Sequence, residues 1–226
     1  GLGRLLKMDR DTALLTSIGS SICGAAAVLG AEPVVKSQPY KAAVAVSTVV
    51  IFGTLSMFLY PALFRAGMLD LTTEQMGLFT GATLHEVAHV VGAGNAMGQA
   101  ISDPAIIVKM IRVMMLAPVL VILSIILSRR EAAAGQTGQK RKITIPWFAF
   151  LFLAVIGFNS LHLLPSGVVS AINSLDTFLL TMAMTALGAE SSFEKFKKAG
   201  ARPFLLAALL YAWLFFGGYW LVKGMT

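Results

Sequence analysis

Along the chain, long runs of apolar positions alternate with short polar or charged breaks. Seven apolar segments stand out, at 12–31, 42–62, 75–97, 105–128, 145–164, 171–190 and 203–222. The breaks carry Pro, Gly or charge, as at Glu32-Pro33, Pro61 to Asp70, Ser102-Asp103-Pro104, Arg129 to Lys142, Pro165-Ser166-Gly167 and Glu190 to Pro203. Each run is long enough, at roughly 20 residues, to cross the hydrocarbon core of a bilayer as a helix. None shows the one-sided charged face of a helix on a soluble core. The pattern predicts an all-α, polytopic membrane protein with about seven transmembrane segments, forming one domain over residues 1–226. The break RREAAAGQTGQKRK, at 129–142, reads as an exposed basic loop.

Two segments are unusually polar for membrane depth. Segment 12–31 reads TALLTSIGSSICGAAAVLGA, with Ser17, Gly19, Ser20, Ser21 and Gly24 at its centre. Segment 171–190 carries Asn173, Ser174, Asp176, Thr177, Thr181, Thr185 and Gly188. Gly and Ser weaken a helix interior, and in a membrane they mark close helix packing or a broken helix lining a cavity. Both segments share a Leu-Leu-Thr start and a Leu-Gly-Ala-Glu end. Two interrupted helices of opposite direction are expected of an inverted-repeat transporter with discontinuous helices.

Charge placement sets the orientation and removes one function class. The formal net charge is +7, which invites a nucleic-acid reading. Yet 13 of the 18 Lys and Arg residues fall on one side of a seven-span arrangement, namely Arg4, Lys7, Arg10, Arg65, Arg129, Arg130, Lys140, Arg141, Lys142, Lys195, Lys197, Lys198 and Arg202. The other side holds Lys36, Lys41 and Lys223. This is the positive-inside pattern, with a cytoplasmic N-terminus, and no nucleic-acid partner is implied. Composition agrees: 57% of residues are hydrophobic and 13% charged, against about 25% charged in a soluble domain. The single cysteine, Cys23, excludes an intrachain disulfide. Arg4, Lys7 and Arg10 resemble the start of a signal peptide, but the polar Ser and Gly residues that follow favour a helix.

The chemistry-bearing residues fall in two segments. Residues 85–89 read His-Glu-Val-Ala-His, a pattern that on a helix can bind zinc through His85 and His89 with Glu86 as general base. Asn95 stands where the longer metalloprotease signature has its third His. Read instead as a continuous helix, segment 75–97 places Gly77, Gly81, His85 and His89 on one stripe, with Glu86 turned about 100° away. The glycines then admit a neighbouring helix, and the histidines face protein or a cavity. Lys109 and Arg112 lie three apart, on one face of segment 105–128. They either snorkel to the interface, pair with Glu86, or form a two-cation face suited to an anion. Buried ionisable groups in a membrane usually mark a pathway or site.

Together these residues resemble the YeiH-like family of bacterial inner-membrane proteins, which carry a sulfate-exporter label. The matching stretches are Gly19-Ser20-Ser21-Ile22-Cys23-Gly24, Tyr60-Pro61, and Gly77 through Gly81 to His85-Glu86-Val87-Ala88, with Val90-Val91 and Gly94. Lys109-Met110-Ile111-Arg112-Val113, Pro146-Trp147-Phe148 and Ala183-Met184-Thr185-Ala186-Leu187-Gly188 follow in family order. The resemblance covers essentially the whole chain. It implies a multi-pass inner-membrane transporter fold of inverted repeats with crossed broken helices. It also implies a longer family chain, of which this sequence matches the C-terminal two-thirds, and a Gln at the position of His89.

The function expected from the sequence is a secondary transporter moving a small anion, sulfate or a relative, across a bacterial inner membrane. The alternative is an intramembrane zinc metalloprotease using His85, Glu86 and His89. The expected substrate-binding residues are Ser17, Ser20, Ser21, Gly24, His85, Glu86, Lys109 and Arg112, with no catalytic residue and no metal ligand among them. Glu86 is expected to carry a proton or to act as counter-charge. The chain has no Walker-type Gly-Lys-Ser/Thr run, so ATP-driven transport is not expected, nor is a cofactor. Partners are the lipid bilayer and the anion, with homo-oligomerisation left open.

Overall fold

A computed structural model describes residues 1–133, 147–161, 163–190 and 200–225, all of whose elements are α-helices. After a short α1 (Leu2–Leu5) come α2 (Arg10–Ser21), α3 (Ala25–Val35), α4 (Pro39–Arg65), α5 (Thr73–Thr83) and α6 (Val87–Met97). They are followed by α7 (Gln99–Met114), α8 (Leu116–Ala133), α9 (Trp147–Ser160), α10 (Ser166–Glu190) and α11 (Ala201–Lys223). Each of the seven apolar segments coincides with one helix or a consecutive pair. Among the described residues, three stretches are long and apolar enough to cross a bilayer outright: Pro39–Arg65, Gln99–Arg129 and Ala201–Lys223. Most of the 129–142 loop, and the basic 195–198 run, lie outside the described residues.

Local sequence explains where the helices begin. Asp9 caps α2 by accepting the Thr12 amide at 3.1 Å. Lys41 Nζ then reaches Asp9 at 2.7 Å and Asp11 at 3.0 Å, which pins the start of α2 to the start of α4. The hydrogen bond from Lys41 holds the Asp9 carboxyl below its usual range. Thr72 and Gln75 form a reciprocal capping box at the start of α5. In the interiors, Ser and Thr hydroxyls bond back to carbonyls of the preceding turn, as Ser47 does to Ala43 and Ser56 to Phe52. That disposes of their donors where no water is available.

Segment 12–31 is interrupted, as its Gly/Ser content predicted. α2 stops at Ser21, the chain turns through Ile22, Cys23 and Gly24, and α3 starts at Ala25. Segment 75–97 corrects the sequence reading. It is not one helix: α5 ends at Thr83, Leu84 and Glu86 take extended conformations, and α6 begins at Val87. The stripe from Gly77 to His89 therefore holds only in its first half. There Gly77 packs on Pro104, and Gly81 on the backbone of Ala105, so that α5 and α7 lie in close contact. A second correction concerns segment 171–190, which is uninterrupted within α10. Its Ser and Thr hydroxyls close i−4 bonds instead, among them Thr177 to Asn173 and Thr181 to Thr177. Among the described residues the two interrupted segments are thus α2–α3 and α5–α6.

The half-helices have 12, 11, 11 and 11 residues. At 1.5 Å per residue each is about 16–18 Å long, roughly half the hydrocarbon thickness, and each pair folds back on itself. Lys41 at the start of α4 joins Asp9 and Asp11 at the start of α2, and Arg65 at the end of α4 bonds the Ala96 carbonyl at the end of α6, so each pair enters and leaves on one side with its break at depth. The seven-span side assignment, which set Lys41 opposite Arg4, Lys7 and Arg10, is corrected by this geometry. Two apolar cores flank the breaks. One joins Leu15, Ile18, Ala27, Val28, Ala45 and Leu120, from α2, α3, α4 and α8. The other joins Tyr60, Met76, Phe79, Leu84, Val90 and Ala105, from α4 to α7. The long helix α4 belongs to both and ties them together.

Candidate functional site

The two breaks meet. Ala25, the first residue of α3, donates its amide to Glu86 Oε1 at 3.2 Å across 61 residues of sequence. Gly24 makes this approach possible: its φ of +76° is one that L side chains rarely adopt, and a Cβ there would strike Glu86 Cγ. The positive end of α3 therefore faces a carboxylate, and the same residue stands at the N-cap of α6.

The opposite ends of the half-helices are served by α7. Lys109 is completely buried. Its Nζ donates to the carbonyls of Leu84 at 2.7 Å, His85 at 2.6 Å and Ile22 at 3.4 Å. One turn on, Arg112 donates to Ala82 at 2.5 Å and Leu84 at 3.1 Å through one nitrogen, and to Ser21 at 2.8 Å through another. Those carbonyls are the orphaned acceptors at the C-terminal ends of α2 and α5, where the helix dipole is negative. The charges are thus sorted. Two cations serve the two negative ends, and one carboxylate accepts from the positive end of α3 while standing, without a side-chain capping bond, at the N-cap of α6.

This geometry revises the reading of Lys109. It does not snorkel, because α7 begins at Gln99 and carries Lys109 ten residues inward to the crossing. Nor does Lys109 offer an open anion-binding face, since its three donors are engaged by backbone carbonyls, while Arg112 gives three hydrogen bonds to carbonyls and also borders a cavity. The predicted serines also separate. Ser17 and Ser21 hydrogen-bond along α2, to Ala13 and Ser17, each at 2.7 Å. With Arg112, Ile18, Ile22, Met115 and Val119 they line a shallow cavity of about 460 Å³. Ser20 is buried instead.

Several buried polar atoms near the crossing have no hydrogen-bond partner among the described residues: Thr16 Oγ1, Ser20 Oγ, Thr80 Oγ1, His85 Nδ1, Glu86 Oε2 and His89 Nδ1. His89 Nδ1 stands 3.7 Å from Glu86 Oε2, beyond hydrogen-bond distance. Its Nε2 lies 3.4 Å from Thr54 Oγ1, and the missing side chain of Gly53 on α4 makes room for the ring. The His85 ring is tilted against Tyr211 of α11, with centroids 6.2 Å apart. Sequence reasoning did not find Gly53, Thr54 or Tyr211. A lone Gly or Thr in an apolar helix carries no signal of its own; only the facing histidine gives it meaning.

The zinc motif is not assembled. It requires both histidines one turn apart on a continuous helix. Here His85 lies in the extended break before α6, and Glu86 is turned onto Ala25. Among the described residues no group of three His, Cys, Asp or Glu side chains is close enough to hold a metal ion. Purified protein is expected to carry no stoichiometric zinc by elemental analysis. His89→Gln should fold like the parent, since an amide can bond Thr54 as imidazole does. Zinc present in the parent and lost in that variant would restore the hydrolase reading.

Comparison with known proteins agrees with the architecture. The family described as Conserved hypothetical protein 698 matches residues 2–207. A UPF0324 membrane protein of Bacteroides thetaiotaomicron is 68% identical over 226 residues, all of this chain and 67% of the relative. A UPF0324 membrane protein of Bordetella bronchiseptica is 55% identical over 224 residues, 99% of this chain and 69% of the relative. The UPF0324 inner membrane protein YeiH of Escherichia coli K12 is 51% identical over 215 residues, 95% of this chain and 61% of the relative. The chain thus spans about two-thirds of the length of these relatives. No solved structure matches it. With interrupted helices, buried charges and these identities over nearly all its length, the chain belongs to the Conserved hypothetical protein 698 family, the UPF0324 group that includes YeiH, and is a multi-pass protein of the bacterial inner membrane.

Proposed function

We propose that this protein is a secondary transporter for a small anion, with its substrate site where the two interrupted helices cross. The observation that carries this reading is the crossing itself. Non-helical backbone and ionisable side chains at membrane depth are costly, and persist where they line a cavity or a pathway. Here both occur together, at the centre of the packed helices. The anion class is supported by the N-terminal ends of α3 and α6, which present backbone N–H groups and positive dipole ends. His85 and Ser20, buried beside the crossing with unpartnered polar atoms, supply further hydrogen-bonding groups. An expectation of energy from ATP has no motif to rest on, which leaves gradient-driven movement.

The test is anion-dependent thermal stabilisation of the detergent-purified protein, scanned over sulfate, other oxyanions and small carboxylates. His85→Ala and Ser20→Ala are each expected to weaken the best anion about tenfold, the loss of one hydrogen bond of ~1.4 kcal/mol. Ile125→Val, on an exposed position of α8, should change nothing. Arg112→Gln is a poorer probe, because Arg112 also holds three backbone carbonyls. If no anion stabilises the parent, or both site variants bind as the parent does, the reading fails.

A further inference from the structure

We propose that the Glu86 carboxylate is a tethered anion that occupies the place of the substrate anion, so that the anion enters only when Glu86 takes up a proton. The inference rests on the anion-transport reading above and specifies how that site is coupled. Four observations carry it. Glu86 Oε1 accepts the first amide of α3, the hydrogen bond a bound anion would make at that helix end. Glu86 Oε2 has no partner, although the side chain is only 8% exposed. The missing side chain of Gly24 is filled by Glu86 Cγ, so the carboxylate is seated against the α3 terminus and not merely near it. Finally, Lys109 and Arg112 are engaged at the opposite helix ends, so the positive positions left for an anion are the α3 terminus, which Glu86 holds, and the α6 terminus, which has no side-chain cap.

The groups around Glu86 suit a proton exchange. From α6, His89 presents an unpartnered Nδ1 at 3.7 Å from Oε2. From the α2–α3 break comes Cys23, which is buried, and from α7 Lys109, with Arg112 one turn beyond. α4 contributes Val49 and, behind His89, Thr54, neither of which titrates. His85 precedes Glu86 in the break, with Tyr211 of α11 against its ring. A proton from bulk water bound at Oε2, by way of His89, removes the negative charge. The neutral side chain then releases the Ala25 amide, and the anion takes that amide. One proton and one anion are bound together. When the anion leaves, the proton returns to water and the carboxylate reseats on α3. Two like charges at one helix terminus repel, which is why the two occupants exclude each other.

The sign of the pH dependence follows. The anion complex holds one more proton than the free protein, so affinity rises as pH falls. The experiment measures dissociation constants for sulfate, nitrate and formate with the detergent-purified protein, from about pH 5 to about pH 8. For the parent, the affinity for the best probe should fall toward tenfold per pH unit at the alkaline end, as uptake of one proton requires. Glu86→Gln cannot carry the charge. It should bind that probe with little pH dependence, at alkaline pH at least as tightly as the parent does at acid pH. Glu86→Asp should retain the pH dependence, and Glu86→Ala should lose it. A parent whose affinity ignores pH, a folded Glu86→Gln that keeps the parent's pH profile, or one that binds no probe at any pH while the parent binds, would each overturn the tethered-anion proposal and leave anion transport standing. Binding of none of the three probes by either protein would remove both.

Discussion

Lys109→Met is expected to lower the thermal midpoint of the purified protein by roughly 10 °C or more, a loss of several kcal/mol. Methionine fills nearly the same stem volume, so the apolar packing of α7 survives and the change isolates the ammonium group. That group holds the carbonyls of Leu84, His85 and Ile22, which belong to both breaks. None of the three has water to turn to, because Lys109 is wholly buried. Each buried acceptor left without a donor costs about 1–3 kcal/mol. The two negative half-helix ends would also face each other with only Arg112 between them. Lys109→Arg keeps the charge but must fit a larger planar head into the same space, so an intermediate loss is expected. Thermal unfolding followed by intrinsic fluorescence, with size-exclusion chromatography to verify dispersity, reads the effect. A methionine variant within a degree or two of the parent would show that Lys109 does not hold the crossing together.

How much of this was legible in the sequence depended on whether a residue carried its own signal. The apolar helical segments were legible because lipid favours long apolar runs; which of them fold back was not, because that is set by contacts such as Lys41 with Asp9 and Arg65 with Ala96. The interruption of 12–31 was legible because Gly19, Ser20, Ser21 and Gly24 are poor helix formers packed into one stretch. The interruption at Leu84–Glu86 was not. Its residues are ordinary in a helix, and what opens the chain there is tertiary: Lys109 and Arg112 draw out the carbonyls of Ala82, Leu84 and His85, while Glu86 is pulled onto Ala25. Segment 171–190 misled in the other direction. Its threonines looked disruptive, but a hydroxyl that bonds the i−4 carbonyl lets a helix carry Ser and Thr without breaking. For the candidate site, the sequence marked Gly24, His85, Glu86, Lys109 and Arg112, and the crossing brings these five together. It did not show that the cations serve backbone carbonyls, because spacing along α7 says nothing of what lies opposite.

Gly24→Ala is expected to be the most damaging methyl group that can be added at the crossing. Two separable effects act there. The backbone stands at φ +76°, ψ −131°, outside the region open to L residues, which costs on the order of 1–3 kcal/mol. The new Cβ would also strike Glu86 Cγ and press on Val49 Cγ1 at 3.0 Å and Glu86 Oε1 at 3.1 Å, an overpacking cost of about 1–3 kcal/mol. Gly67 provides the control. It has φ +66° in the exposed turn after α4, with nothing within 4 Å of a Cβ. Gly67→Ala should therefore show backbone strain alone, about 1–2 kcal/mol. The clash at Gly24 can be isolated further with Glu86→Ala. That substitution removes the atom struck but not the strained dihedral, so in the Gly24→Ala background it should restore part of the stability lost. Alone it should destabilise, because it orphans the Ala25 amide. A coupling of at least about 1 kcal/mol between the two substitutions, read from thermal midpoints of the four proteins, is the expected result. Additive losses would mean that Gly24 and Glu86 do not touch, and that the carboxylate is not seated on the α3 terminus.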